Sequence, residues 1–142
     1  MDDIDRQILD LLRDDGRASK ADIGRHVGLT PAAIIERLRK LEASGAIRGY
    51  HADIDPEALG LSLIAYIFVR DNDPSKRADT GARLAALPKV DEVAKITGSD
   101  TFLVKVQVED TRALTRLLEQ ELGSIPTIAS TRTCLVLETV SS

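Results

Sequence analysis

The sequence holds a single cysteine, Cys134. That excludes an internal disulfide and a cysteine-rich zinc site. Its two histidines, His26 and His51, lack metal-ligand spacing and read as surface or partly packed side chains, so no metal is expected. No unbroken apolar run approaches the roughly 20 residues of a membrane span. The opening residues, MDDIDRQ, are acidic and lack the basic-then-apolar order of a secretory leader, so the cytoplasm is the expected location. G-x-G-x-x-G, the P-loop, G-x-S-x-G and H-E-x-x-H are all missing. Cys134 falls on an expected strand with no histidine beside it, and reads as a small buried apolar residue rather than a nucleophile. Neither catalytic residues nor a cofactor are expected.

What is present begins with charge. The net charge is −4, which by itself argues against a nucleic-acid partner. Local charge matters more. Between Gly16 and His51, seven cationic residues (Arg17, Lys20, Arg25, Arg37, Arg39, Lys40, Arg48) face three acidic ones (Asp22, Glu36, Glu42), a local +4. The chain is a basic stretch in an acidic frame.

That stretch reads as a helix-turn-helix. A first helix spans about Asp3 to Asp15, with Ile4, Ile8, Leu11 and Leu12 as its apolar stripe. Asp2 and Asp5 suit a capping box, and Gly16 suits a left-handed C-terminal position. Ser19 and Asp22 start a second helix, with Ala21, Ile23 and Val27 inward, and Gly28 turns the chain. Thr30 caps a third helix and Pro31 takes its first turn, where a missing N–H costs nothing. Ile34, Leu38 and Leu41, widened by Ile35, are the expected core face, and Gly45 is the stop. The other face carries Ala32, Ala33, Glu36, Arg37, Arg39, Lys40 and Ala43. Small residues let such a helix sit deep in a groove, and arginine and lysine reach phosphate or guanine. Alone, a basic amphipathic helix is more often a solvated face. The glycine turn, the Thr-Pro cap and an expected wing over Ala46 to Ile54 reverse those odds. The candidate contacts to double-stranded DNA are Thr30, Pro31, Ala32, Ala33, Glu36, Arg37, Arg39, Lys40 and Arg48.

Asp55-Pro56 marks a boundary, giving residues 1–55 as one domain, 56–60 as a hinge and 61–142 as a second domain. In the second, strands are expected over 61–70, 90–96, 101–108 and 128–140, with helices from Pro74 or Ser75 to about Ala86 and from Asp110 or Thr111 to about Leu122. The order is βαββαβ, a ferredoxin-like motif. The class is α+β: a winged helix-turn-helix joined to a ferredoxin-like βαββαβ sandwich. Two helices cover only one face of such a sheet. The first strand is apolar on both sides, with Leu63, Ala65, Ile67 and Val69 on one and Ile64, Tyr66 and Phe68 on the other. A second copy of the chain is the expected cover.

These residues resemble the Lrp/AsnC, or feast/famine, family of transcription regulators. The resemblance rests on D-x-x-D-x-x-I-L from Asp2, G-L-T-P at Gly28 to Pro31 and E-R-L-R-K-L-E-x-x-G-x-I-R-G-Y at Glu36 to Tyr50. It continues with A-x-x-D-P-x-x-L-G at Ala52 to Gly60, T-G-x-D-x-F at Thr97 to Phe102 and T-R-T at Thr131 to Thr133. It implies a DNA-binding N-terminal domain and a C-terminal domain that pairs copies through its sheet. It implies homodimers, in this family often gathered into octamers, and an amino-acid effector near the loop at Thr97 to Thr101. Many members carry the aspartate of that loop one residue later than Asp100 stands here. The effector candidates are Thr97, Gly98, Ser99, Asp100, Thr101, Ser130 and Thr133. Asp100 would accept from an ammonium, and backbone N–H groups and hydroxyls would donate to a carboxylate. Gly98 and Asp100 suit a plain tight turn equally well. An architectural protein that wraps DNA with little sequence preference is the alternative. A small-molecule enzyme or carrier with a docking module is a third reading.

Overall fold

The computed structural model describes residues 1–141. It divides into two compact units, Met1–Asp53 and Ile54–Ser142.

The first unit is three helices: α1 (Asp3–Asp14), α2 (Lys20–Val27) and α3 (Pro31–Ala43). Each start is satisfied by a side chain. Asp2 and Asp5 close a reciprocal capping box. The Ser19 hydroxyl accepts from the Asp22 N–H, and the Thr30 hydroxyl from the Ala33 N–H. Such caps occupy N–H groups that the helix itself leaves unpaired. Gly28 and Gly45 take positive φ at the helix ends, as their placement predicts. Gly16 does not: α1 ends on an extended Asp15, and no left-handed residue is needed there. Ile8, Ile23, Ile34, Leu38 and Leu41 form the core.

Further expectations for this unit are corrected: Ala21, expected on the inward side of α2, is exposed. Ile35 does not widen the apolar stripe, because it is 53% exposed. No strand forms over 46–54, so the expected wing is an irregular segment. A lone hairpin is marginal in water, and local anchors hold this segment instead. The Ile47 N–H bonds the Leu41 carbonyl at 3.0 Å, and the Tyr50 hydroxyl donates to Glu42 at 2.8 Å.

The second unit holds β1 (Leu63–Asp71), α4 (Arg77–Ala85), β2 (Val90–Lys95), β3 (Phe102–Val108), α5 (Thr111–Arg116) and β4 (Ile128–Leu135). α5 runs on through a π-helical turn at Leu117–Glu121 and a 3-10 turn at Leu122–Ser124. The strands form one antiparallel sheet in the order β2-β3-β1-β4, the ferredoxin-like arrangement. Ala65, Ile67 and Val69 of β1 and Phe102, Val104, Val106 and Val108 of β3 are buried with Leu84 of α4 and Ala113, Leu114 and Leu117 of the α5 region. The alternation sends Ile64, Tyr66, Phe68 and Leu103 to the other face, where they are half-buried. β4 stops at Leu135, short of Val140. Its last bond to β1 is from the Val136 N–H to the Ile64 carbonyl, and beyond it Leu137 is 98% exposed. Cys134 is exposed, not buried. It lies opposite Tyr66, on the sheet face away from α4 and α5.

Candidate nucleic-acid interface

Helix α3 separates its residues by periodicity. Ile34, Leu38 and Leu41 point into the core, whereas Pro31, Ala32, Glu36, Arg39 and Lys40 are exposed. Thr30 at the cap is exposed as well, and Ala33 is half-buried. Arg48 lies exposed in the segment that follows. The helix therefore shows solvent a strip that is small near its N-terminus and charged beyond it. Glu36 takes two bonds from Arg39, at 3.1 and 2.6 Å. The Arg39 hydrogen bonds hold the Glu36 carboxyl below its ordinary value. Among the described residues Lys40, Arg48, Arg17 and Lys20 have no carboxylate within ion-pair distance.

Arg37 is placed differently. Its side chain is 29% exposed, and its guanidinium lies on Asp2 and Asp5 at the start of α1. That hydrogen bond holds the Asp2 carboxyl below the usual carboxylate range.

Sequence reasoning missed Gly24. It is buried in α2, and a Cβ there would run into the Leu29 carbonyl oxygen. The Leu29 N–H in turn bonds the Gly24 carbonyl at 3.0 Å. The signal was available in the spacing Gly24-x-x-x-Gly28: a glycine inside a helix, one turn before the turn glycine, often marks a close backbone approach.

In the second unit the expected effector residues are only partly brought together. The hairpin between β2 and β3 has Gly98 at φ 113°, a conformation that glycine allows. Three of its acceptor and hydroxyl groups already have partners. Arg70 Nε donates to the Ser99 carbonyl at 3.1 Å, and Arg132 Nη2 to Asp100 Oδ2 at 3.1 Å. Arg132 also lies over the Phe68 ring, 4.1 Å from its centroid. Thr101 is buried, and its hydroxyl donates to Asp71 Oδ1 at 2.8 Å. Asp71 in turn accepts from Arg77 Nε at 2.7 Å and Nη2 at 3.0 Å. Arg77, then Thr101, hold the Asp71 carboxyl low. Ser130 pairs with Arg70 and Thr133 with Ile67. Because side chains alternate along a strand, those two hydroxyls leave opposite faces of the sheet. Thr133 is thus turned away from the open face where Asp100 meets Arg132, and the Thr101 hydroxyl is committed to Asp71.

A helix-turn-helix with a solvent-exposed outer face, followed by a ferredoxin-like sheet whose face away from α4 and α5 is apolar, defines a two-unit DNA-binding regulator. Residues 1–42 match the AsnC-type helix-turn-helix domain, and residues 63–142 match the Lrp/AsnC ligand binding domain. The chain belongs to the Lrp/AsnC family of transcriptional regulators. It is 38% identical over 139 residues to the HTH-type transcriptional regulator FL11 of Pyrococcus horikoshii, covering 98% of this chain and 91% of that one. The fold is similar to a feast or famine regulatory protein from M. tuberculosis solved with L-methionine: TM-score 0.91, 35% identity, 99% and 95% of the two chains covered. It is also similar to a transcriptional regulator from Neisseria meningitidis in complex with L-Met: TM-score 0.90, 27% identity, 100% and 93% covered.

Proposed function

We propose that this regulator binds double-stranded DNA through the outer face of α3 and works as a homodimer tuned by an amino acid held on its second unit. The observation that carries the reading is the α3 strip. Its core face is buried on Ile34, Leu38 and Leu41 while Arg39 and Lys40 stand in solvent. An anchored helix with exposed cations is what major-groove docking requires. Thr30, Pro31, Ala32 and Ala33 form the close-approach end, Arg39 and Lys40 contact phosphate or base, and Arg48 contacts the flanking backbone. Glu36 restrains Arg39 along the helix through its two bonds. Such a protein works in the cytoplasm.

The half-buried Ile64, Tyr66, Phe68 and Leu103 on the sheet face away from α4 and α5 support pairing of two copies there, the residual exposure being removed on association. The L-methionine bound to the two similar regulators supports an amino-acid effector here. Thr97, Gly98, Ser99, Asp100 and Ser130 are its proposed contacts. An effector changes DNA affinity only as far as it binds one arrangement of the copies better than another. The linker around residues 56–60 is the proposed hinge between the two units.

The test takes a duplex that the wild-type protein selects from a random-sequence pool. Arg39→Ala/Lys40→Ala should weaken binding at least tenfold at fixed salt, each base or phosphate contact being worth roughly 1–3 kcal/mol. Unchanged affinity in that variant would sink the α3 assignment. Mass photometry with and without each amino acid distinguishes two copies from eight.

A further inference from the structure

Arg37 lies on the same helix as Arg39 and Lys40 but is committed inward. Its Nη1 donates to Asp2 Oδ1 at 2.9 Å, to Asp2 Oδ2 at 2.8 Å and to Asp5 Oδ1 at 3.0 Å. The two aspartates are themselves fixed. Asp5 N–H bonds Asp2 Oδ1 at 2.9 Å, and Asp2 N–H bonds Asp5 Oδ2 at 3.2 Å. One guanidinium nitrogen therefore gathers both carboxylates of the α1 capping box. The aspartates lie 35 and 32 residues away in sequence, so the contact ties the first turn of the chain to the middle of α3.

We propose that Arg37 is a positioning residue for DNA recognition, acting through Asp2 and Asp5 to set the roll of α3, rather than a contact to the duplex. The proposal rests on the DNA-binding reading above. α1 and α3 meet through side chains, Ile8 sharing a core with Ile34, Leu38 and Leu41, and the Arg37 clamp is the charged contact between them. Apolar contact is non-directional and tolerates a small roll of α3 about its axis. A charge-assisted bond to two fixed carboxylates is directional. Side-chain tips lie about 5–6 Å from a helix axis. A roll of about 15° moves them about 1.5 Å, more than the whole 2.7–3.2 Å window in which an N–H···O bond forms. Losing the clamp would take Arg39 and Lys40 out of register without touching either.

Arg37 Nε and Nη2 have no partner among the described residues. Direct contact to phosphate is therefore the competing outcome, and a mutant cycle separates the two. Full-length Arg37→Gln, Asp2→Asn/Asp5→Asn and the triple variant are titrated by fluorescence anisotropy against the selected duplex at several salt concentrations. Each is measured well below its own melting midpoint. A positioning role predicts that Arg37→Gln weakens binding about tenfold in the wild-type background. It predicts almost no further loss in the Asp2→Asn/Asp5→Asn background, with the salt dependence of log affinity unchanged. Equal losses in both backgrounds, with a slope shallower by about one, would mean that Arg37 touches phosphate and would overturn the proposal. A lowered melting midpoint with full affinity would overturn it too, leaving Arg37 a stabilising pair only. If Arg37→Gln fails to fold, Arg37→Lys takes its place in the same cycle. Undiminished binding by Arg39→Ala/Lys40→Ala would instead remove the DNA reading itself, a signature the Arg37 cycle cannot produce.

Discussion

Helix α3 and the hairpin at residues 97–101 both carry polar groups suited to a ligand, and the structure treats them in opposite ways. On α3, Lys40 is unpaired among the described residues, and Arg39 is paired only to a neighbour one turn away. In the hairpin, Ser99, Asp100 and Thr101 are bonded to Arg70, Arg132 and Asp71, about 30 residues distant. The helix is thus ready to meet its partner as folded. The hairpin has to exchange bonds it already makes, so a ligand there is weighed against internal contacts. Affinity for DNA should follow the surface of α3, and affinity for an effector should follow how tightly the hairpin is held.

The sharpest way to break that contrast is to loosen the hairpin from beneath. Asp71 has a side chain only 4% exposed and accepts three bonds, two from Arg77 and one from Thr101. Asp71→Asn removes the charge and one acceptor oxygen, at a cost of about 2–3 kcal/mol. A drop of roughly 10 °C or more in the melting of the second unit should follow. The pH dependence has a definite sign. The folded carboxyl titrates below its unfolded value, chiefly because of the Arg77 hydrogen bond. Its contribution is therefore complete above about pH 4–5 and disappears as pH falls through the folded pKa. The gap between wild type and Asp71→Asn should narrow from pH 7 to pH 3. A gap that stays constant would mean the charge is not what matters.

Gly24 tests the helical side of the comparison. Glycine to alanine in a helix usually gains up to about 1 kcal/mol. Here the new methyl meets the Leu29 carbonyl, main chain that leads directly into the Thr30 cap. Overpacking of this kind costs about 1–3 kcal/mol, so the net effect should be a loss of about 1–2 kcal/mol, with weakened DNA binding. Calorimetry showing Gly24→Ala to be stabilising would mean that the turn adapts without displacing α3.

The same contrast decides how much was legible in the sequence. The caps at Asp2, Ser19 and Thr30, the turn at Gly28 and the face of Ile34, Leu38 and Leu41 are local patterns of three to eight residues, and all appear as read. The alternation in β1 and β3 is equally local, and it gave both sheet faces. The failures needed information from elsewhere in the chain. Ile35 is one position from a buried residue, and only the packing of α1 and α2 decides where the stripe ends. The segment at 46–54 has strand-like residues but no strand beside it. Ser130 and Thr133 share a strand, yet an odd separation sends them to opposite faces. The partners of Arg37 and Asp100 lie more than 30 residues away, a distance at which spacing says nothing.

Arg132→Ala should loosen the hairpin from above. It frees the Asp100 carboxylate and removes the cation over Phe68. Arg132 is 62% exposed, so stability should change by less than about 1 kcal/mol. If an amino acid's ammonium takes the place of the guanidinium on Asp100, its affinity should rise about two- to fivefold by titration calorimetry. A fall in affinity would show that Arg132 itself binds the ligand, and Arg132→Lys should then retain more of it than Arg132→Ala.

Glu36→Gln gives the smallest effect and the most pointed one, because its sign is opposite to that of ordinary damage at an interface. Glu36 is exposed and accepts both bonds from Arg39. In the complex it would place a negative charge beside phosphate, and it draws Arg39 along the helix rather than outward. Glutamine keeps one acceptor for Arg39 and removes the charge. An exposed pair one turn apart is worth only about 0.3–0.5 kcal/mol, so the melting midpoint should scarcely move. Affinity for the selected duplex should rise about threefold at low salt, and the gain should shrink as salt screens the removed repulsion. If Glu36 instead accepts a hydrogen bond from a cytosine amino group, the same change should weaken binding and relax the preference at one base pair. The direction of this one shift thus tells whether the acid on α3 restrains the neighbouring arginine or reads the duplex itself.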